Sequence, residues 1–146
     1  DLTEPRAFNS AKPHTPCDAV AKQFEQACYF EQPHWWNHVL KRDAKKVGSL
    51  CHEVKDVLAK EACFRGFGNI IAADNAYDVP KAVAVCNRMP SSREINLCLQ
   101  GLSWGFSAEP KFRHLSGSVC ATLSAEDKKI CVIGSDIFND RQEINL

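Results

Sequence analysis

Eight cysteines, Cys17, Cys28, Cys51, Cys63, Cys86, Cys98, Cys120 and Cys131, fall into two interleaved series of nearly constant step. Cys17, Cys51, Cys86 and Cys120 are separated by 34, 35 and 34 residues; Cys28, Cys63, Cys98 and Cys131 are separated by 35, 35 and 33. A fixed period of about 34 residues is the length of a helix–turn–helix unit, and such units stack because one alone cannot bury its apolar face. The step therefore predicts an all-α fold, a short right-handed solenoid of about four disulfide-stapled helix–turn–helix repeats. Cutting the chain at the first cysteine series places the repeats near 17–50, 51–85, 86–119 and 120–138, within a single helical domain over 17–146. Residues 1–16, with Pro5, Pro13 and Pro16 among polar groups, read as an extended N-terminal arm.

The second cysteine series carries a local pattern. Glu61-Ala62-Cys63-Phe64-Arg65-Gly66, Asn96-Leu97-Cys98-Leu99-Gln100-Gly101 and Lys129-Ile130-Cys131-Val132-Ile133-Gly134 each set a small or apolar residue before the cysteine and a glycine three positions after it. The first copy, Gln26-Ala27-Cys28-Tyr29-Phe30-Glu31, lacks the glycine, as a terminal repeat with one free side can. In the second copy Cys63, Phe67, Ile70, Ile71 and Asp74 share one helical face. Glycine inside a helix costs about 1 kcal/mol against alanine, so its recurrence predicts a close approach of a neighbouring backbone. Gly66-Phe67-Gly68 is not followed by Lys-Ser/Thr, so a phosphate loop is the poorer explanation.

The first cysteine series closes shorter helices. Asp78-Val79-Pro80 supplies an N-cap and a first-turn proline for a helix reaching Cys86, and Ser91 or Ser92 caps the next one. The same plan predicts a helix from Glu109-Pro110-Lys111 to Cys120, another from Ser124-Ala125-Glu126 into Cys131, and a last turn plus tail from Asp136 onward. Two regular pairings compete. The long gaps would join Cys28–Cys51, Cys63–Cys86 and Cys98–Cys120 and strand two thiols. The short gaps join Cys17–Cys28, Cys51–Cys63, Cys86–Cys98 and Cys120–Cys131 and use all eight, which favours them in an oxidising compartment.

The period, the Cys-x-x-Gly of Cys63 to Gly66 and Cys98 to Gly101, and the Lys81-Ala82 before Cys86 are similar to the secreted, cysteine-rich branch of tetratricopeptide-like repeats, the Sel-like repeats. The resemblance covers about residues 17–134. It implies helical hairpins stapled by one disulfide each and a partner held on the concave face of a superhelix, and it supplies no catalytic residue. The spacing within each staple is longer here, and the Leu-Gly and Tyr signature is missing.

Charge and cysteine usage exclude several classes. With 18 basic and 18 acidic residues the chain is neutral, so the basic stripe that nucleic acid requires is not indicated. No apolar run approaches the ~18 residues of a membrane helix. The absence of any C-x-x-C argues against zinc knuckles and thioredoxin-type chemistry. The start at Asp1 without a hydrophobic leader reads as a mature product after signal removal, and the lack of an Asn-x-Ser/Thr sequon keeps a periplasmic origin level with a secreted one.

Candidate chemistry is sparse. His34 and His38 stand one helical turn apart and could meet one metal ion, but no third ligand is evident; Pro33 suggests instead a first helical turn bearing Trp35 and Trp36. His14, His52 and His114 lie outside any motif, and no nucleophile–base arrangement is left once the cysteines are paired. No cofactor is expected. Trp35, Trp36 and Trp104 are the candidate partner contacts, since tryptophan is enriched at binding hot spots. The sequence thus predicts a non-catalytic, secreted or periplasmic protein–protein interaction module, its partner a protein or peptide. The competing readings are a small structural subunit of a larger envelope or extracellular assembly, and an enzyme or binder acting on a cell-envelope ligand.

Overall fold

The computed structural model describes residues 7–131 except 122 and 130. Its elements are all helical: α1 (Glu25–Val39), α2 (Ala44–His52), α3 (Val57–Asp74), α4 (Val79–Cys86), α5 (Ser92–Ala108) and α6 (Ser116–Cys120), with residues 125–129 helical beyond them. Long helices alternate with short ones. The long helices α1, α3 and α5 pack side by side in that order, and α6 packs on α5. All four short-gap disulfides form: Cys17–Cys28, Cys51–Cys63, Cys86–Cys98 and Cys120–Cys131. The second staples α2 to α3 and the third staples α4 to α5.

Local chemistry recurs at the same step as the cysteines. Asp43 and Asp78, 35 residues apart, accept from the backbone N–H of Lys46 and Lys81 and so start α2 and α4. Asp56, Ser91 and Ser124 accept from Ala59, Glu94 and Asp127 in the same way and start the helices of the second cysteine series. Of the two serines proposed to start α5, Ser91 is the cap. The links from long to short helix also repeat. Lys41 and Arg42, then Ala76 and Tyr77, adopt left-handed backbone with φ of 54°, 60°, 52° and 58°. The Arg42 N–H donates to Asn37 O at 2.7 Å and the Tyr77 N–H to Ala72 O at 2.8 Å, closing each helix.

The recurring glycines lie where long helices touch. A Cβ on Gly66 would fall on the Phe30 backbone of α1, 2.8 Å from its Cα; a Cβ on Gly101 would fall on the Arg65 backbone of α3, 2.6 Å from its Cα. Phe30 and Arg65 are themselves 35 residues apart, so α3 sits on α1 as α5 sits on α3. Gly68 meets the Cys98 backbone from the other side. The third glycine of the pattern, Gly134, and the segment from Asp136 lie outside the described residues.

The core runs between the two rows of helices and holds Trp36, Phe64, Phe67, Ile71, Leu99, Leu102 and Phe106 with Cys51, Cys63, Cys86 and Cys98, each no more than 1 % exposed. Burying one such apolar side chain contributes roughly 1.5–3 kcal/mol. Three expectations change. Pro33 is buried inside α1, which has already begun at Glu25. It occupies the place 35 residues before Gly68, on the side of the helix facing the next long one. The helix expected from Glu109 shortens to α6, because α5 continues to Ala108 and residues 109–115 are spent on turns in which Arg113 Nε donates to Ser107 O. Before α1 the chain from 10 to 19 runs in successive turns instead of extended, with His14 edge-on to Trp36 and Gln32 Nε2 donating to Thr15 O.

Candidate functional site

The cysteines and glycines fix which side of each long helix is spent on packing. Cys63, Phe67 and Ile71 turn toward the short helices, Gly66 toward α1 and Gly68 toward α5. At 100° per residue this leaves Arg65 and Asn69 on the remaining side of α3. Steps of 35 residues give Phe30 and His34 on α1, and Gln100 and Trp104 on α5. These six side chains form one outer face, opposite the row of short helices.

Contacts across the face tie neighbouring helices together. His34 Nε2 lies 3.2 Å from Gly66 O, and the Phe30 and His34 rings are 6.3 Å apart. Arg65 Nε donates to Gln100 Oε1 at 2.6 Å, and its guanidinium lies 5.8 Å from the Trp104 ring centroid, within the range of a cation–π contact. Arg65 Nη1 is 3.5 Å from Glu61 Oε2, and the same carboxylate accepts from Arg93 Nη2. Burial lowers the pKa of Arg65 from its ordinary value; Glu61 raises it and Arg93 lowers it again. Two guanidinium groups thus converge on one carboxylate. Beside them opens a groove of about 430 Å³, lined by Arg65, Arg93, Asn96, Leu97, Gln100, Asp127 and Cys131.

The three tryptophans separate. Trp36 is fully buried, and its Nε1 donates to Pro13 O at 3.0 Å. It is a core residue holding the N-terminal turns, and its expected role as an exposed contact is corrected. Trp35 is half-buried with the Phe8 ring 6.2 Å away, and Trp104 is half-buried on the outer face beside Arg65. His34 and His38 line a second groove with Asn37, Lys41, Arg42, Ile70 and Asp74. Asp74 is engaged there by Arg42 Nε at 2.9 Å and by Asn37 Nδ2 at 3.4 Å. No group of three or more His, Cys, Asp or Glu among the described residues could hold a metal ion.

His14 Nε2 is 3.1 Å from Glu53 Oε2, tying the N-terminal turns to the end of α2, and His52 Nδ1 is 2.8 Å from Glu94 Oε1, tying α2 to α5. His114 lies in the short turn before α6. No helix among the described residues is long and apolar enough to cross a membrane. Sequence reasoning missed Arg65, Gln100 and Arg93. The signal that could have found Arg65 and Gln100 is the period itself, applied to the position before each glycine; Arg93 lies off that step and carries no such signal. Family models, curated proteins and solved structures all fail to match this chain.

Proposed function

We propose that the chain is a short solenoid of disulfide-stapled helical hairpins, secreted or periplasmic, that binds a protein or peptide partner on the outer face of α1, α3 and α5 without catalysing a reaction. One observation carries the reading. At 35-residue steps the packing positions keep their chemistry, with Cys28, Cys63 and Cys98 and with Gly66 and Gly101. At the same step the outer face changes it, from Phe30 to Arg65 to Gln100 and from His34 to Asn69 to Trp104. A frame that repeats while its face varies presents an individual pattern of aromatic, cationic and carboxamide groups, which suits recognition of one partner.

The four disulfides accord with an oxidising compartment. They also favour a preorganised face, which lowers the ordering cost of association. The plan shared with Sel-like repeats points the same way.

The test is site-specific photo-crosslinking in the native fluid or envelope extract, with the crosslinker at Asn69 on the outer face or at Lys45 on α2. The reading expects a stoichiometric partner captured at Asn69 and not at Lys45. Capture at Lys45 alone, or at neither site, contradicts it.

A further inference from the structure

Resting on that reading, we propose that the groove between α3, α5, Asp127 and Cys131 receives an aspartate or glutamate side chain from an acidic segment of the partner protein. The chain as a whole is neutral, yet this groove is not balanced along its length. On its α3–α5 wall stand two guanidinium groups, Arg65 and Arg93, with Glu61 as their shared carboxylate. The charges acting on Arg65 are those two, Glu61 and Arg93. Asp127 lines the groove further along, where Ser124 Oγ donates to it at 2.8 Å.

Donors remain for a ligand. A guanidinium carries five N–H bonds in a planar fork that matches a carboxylate. Arg93 uses Nη2 for Glu61, and its other N–H groups have no acceptor among the described residues. Arg65 commits Nε to Gln100 and turns Nη1 toward Glu61, so its Nη2 is unspent, while the Trp104 ring beside it steadies the guanidinium plane. Asn96, on the same groove wall as Arg93, has a carboxamide with no hydrogen-bond partner among the described residues. A carboxylate there would accept from the arginines, and the Asn96 amide could pair with the peptide backbone that carries it. Arg65 side-chain exposure is 27 % against 74 % for Arg93, so the incoming group would meet one exposed and one partly buried cation. The half-buried cation is the stronger partner, because screening by water is weaker there.

The probe is the acetylated, amidated pentapeptide Ala-Glu-Ala-Glu-Ala, titrated into the oxidised full-length protein. The readout is the NMR signals of the Trp104 indole N–H and of the Arg65 and Arg93 Nε–H groups. We expect saturable shifts at all three, no response to Ala-Gln-Ala-Gln-Ala, and affinity lowered about tenfold or more by Arg93→Gln or Arg65→Lys. Arg93 is exposed, so Arg93→Gln leaves the fold intact and keeps the test decisive if Arg65→Lys does not fold. An equal response to the glutamine peptide, or unchanged affinity in Arg93→Gln, overturns the proposal. So does tighter binding of acetylated penta-alanine with a free carboxylate, which would assign the groove to chain ends, or an equal response to inorganic phosphate. A native partner captured at Asn69 whose binding ignores both Arg93→Gln and the acidic peptide removes this inference and leaves the interaction module standing. Failure to capture any partner at Asn69 removes the module.

Discussion

Gly66→Ala and Gly101→Ala test the packing of the long helices with the smallest possible perturbation. In a solvent-exposed helix such a change would stabilise by about 1 kcal/mol. Here the new methyl group would lie 2.7–2.8 Å from the Phe30 carbonyl carbon and Cα in one case, and 2.6 Å from the corresponding Arg65 atoms in the other, with the carbonyl oxygens closer still. Ordinary contact is 3.4–4 Å, and the atoms struck are backbone that cannot turn aside. Relief requires α1 and α3, or α3 and α5, to move apart, which loosens Phe64, Phe67, Leu99 and Leu102 behind them. Overpacking costs typically 1–3 kcal/mol. Because rigid backbone is struck, the upper end applies, and set against the propensity gain of about 1 kcal/mol each variant should lose roughly 2 kcal/mol.

Gly117 is the internal control, because nothing lies within 4 Å of its added Cβ. Gly117→Ala should be neutral or stabilising by up to about 1 kcal/mol. Gly48→Ala would first meet the end of the Met89 side chain and the Pro90 ring, at 3.1–3.2 Å, and should fall between. The assay is equilibrium unfolding in guanidinium chloride with disulfides intact, followed by far-ultraviolet circular dichroism. Wild-type stability in both Gly66→Ala and Gly101→Ala would refute the close approach and with it the stacking described here.

Two further outcomes follow from buried groups. Trp36→Phe removes the donor to Pro13 O and part of a fully buried ring; it should cost about 1–3 kcal/mol and weaken protection of residues 10–19 from proteolysis, whereas an unchanged cleavage pattern would mean that Trp36 does not hold those turns. Burial, followed by the charges of Asp18 and Glu25, pushes the Tyr29 phenol up to about 12 from its ordinary 10. The folded state then holds a proton that the unfolded state has lost, so this contribution to stability is present below pH 10 and disappears as the pH rises from 10 to 12. Absorbance titration should show a late phenolate phase that is missing in Tyr29→Phe; the same curve shape in both proteins would contradict it.

How far the sequence could be read depends on what the period preserves. The staples, Asp78, Ser91 and the glycines were legible because each performs the same packing or capping task in successive units, so its chemistry recurs at a fixed step. The left-handed links at Lys41-Arg42 and Ala76-Tyr77 were not, since neither glycine nor asparagine occupies the left-handed positions; local backbone hydrogen bonds to Asn37 O and Ala72 O close the helix ends there instead. Trp35 and Trp36 are adjacent, and only the helix rotation set by an α1 start at Glu25, eight residues before Pro33, decides that Trp36 turns inward. The outer face escaped for the opposite reason to the staples. Phe30, Arg65 and Gln100 share a position and no chemistry, so no motif announces them. Arg93 and Glu61 are 32 residues apart, off the main step, and meet only because α3 and α5 are neighbours.

The pairing of the cysteines fixes the register of every hairpin, and non-reducing proteolysis with mass spectrometry of the linked peptides measures it directly. The account predicts four linked pairs and no others: Cys17–Cys28, Cys51–Cys63, Cys86–Cys98 and Cys120–Cys131. A peptide joining Cys63 to Cys86, or Cys98 to Cys120, would contradict it, because the short helices would then be stapled to the wrong long ones and the outer face of α1, α3 and α5 would not exist.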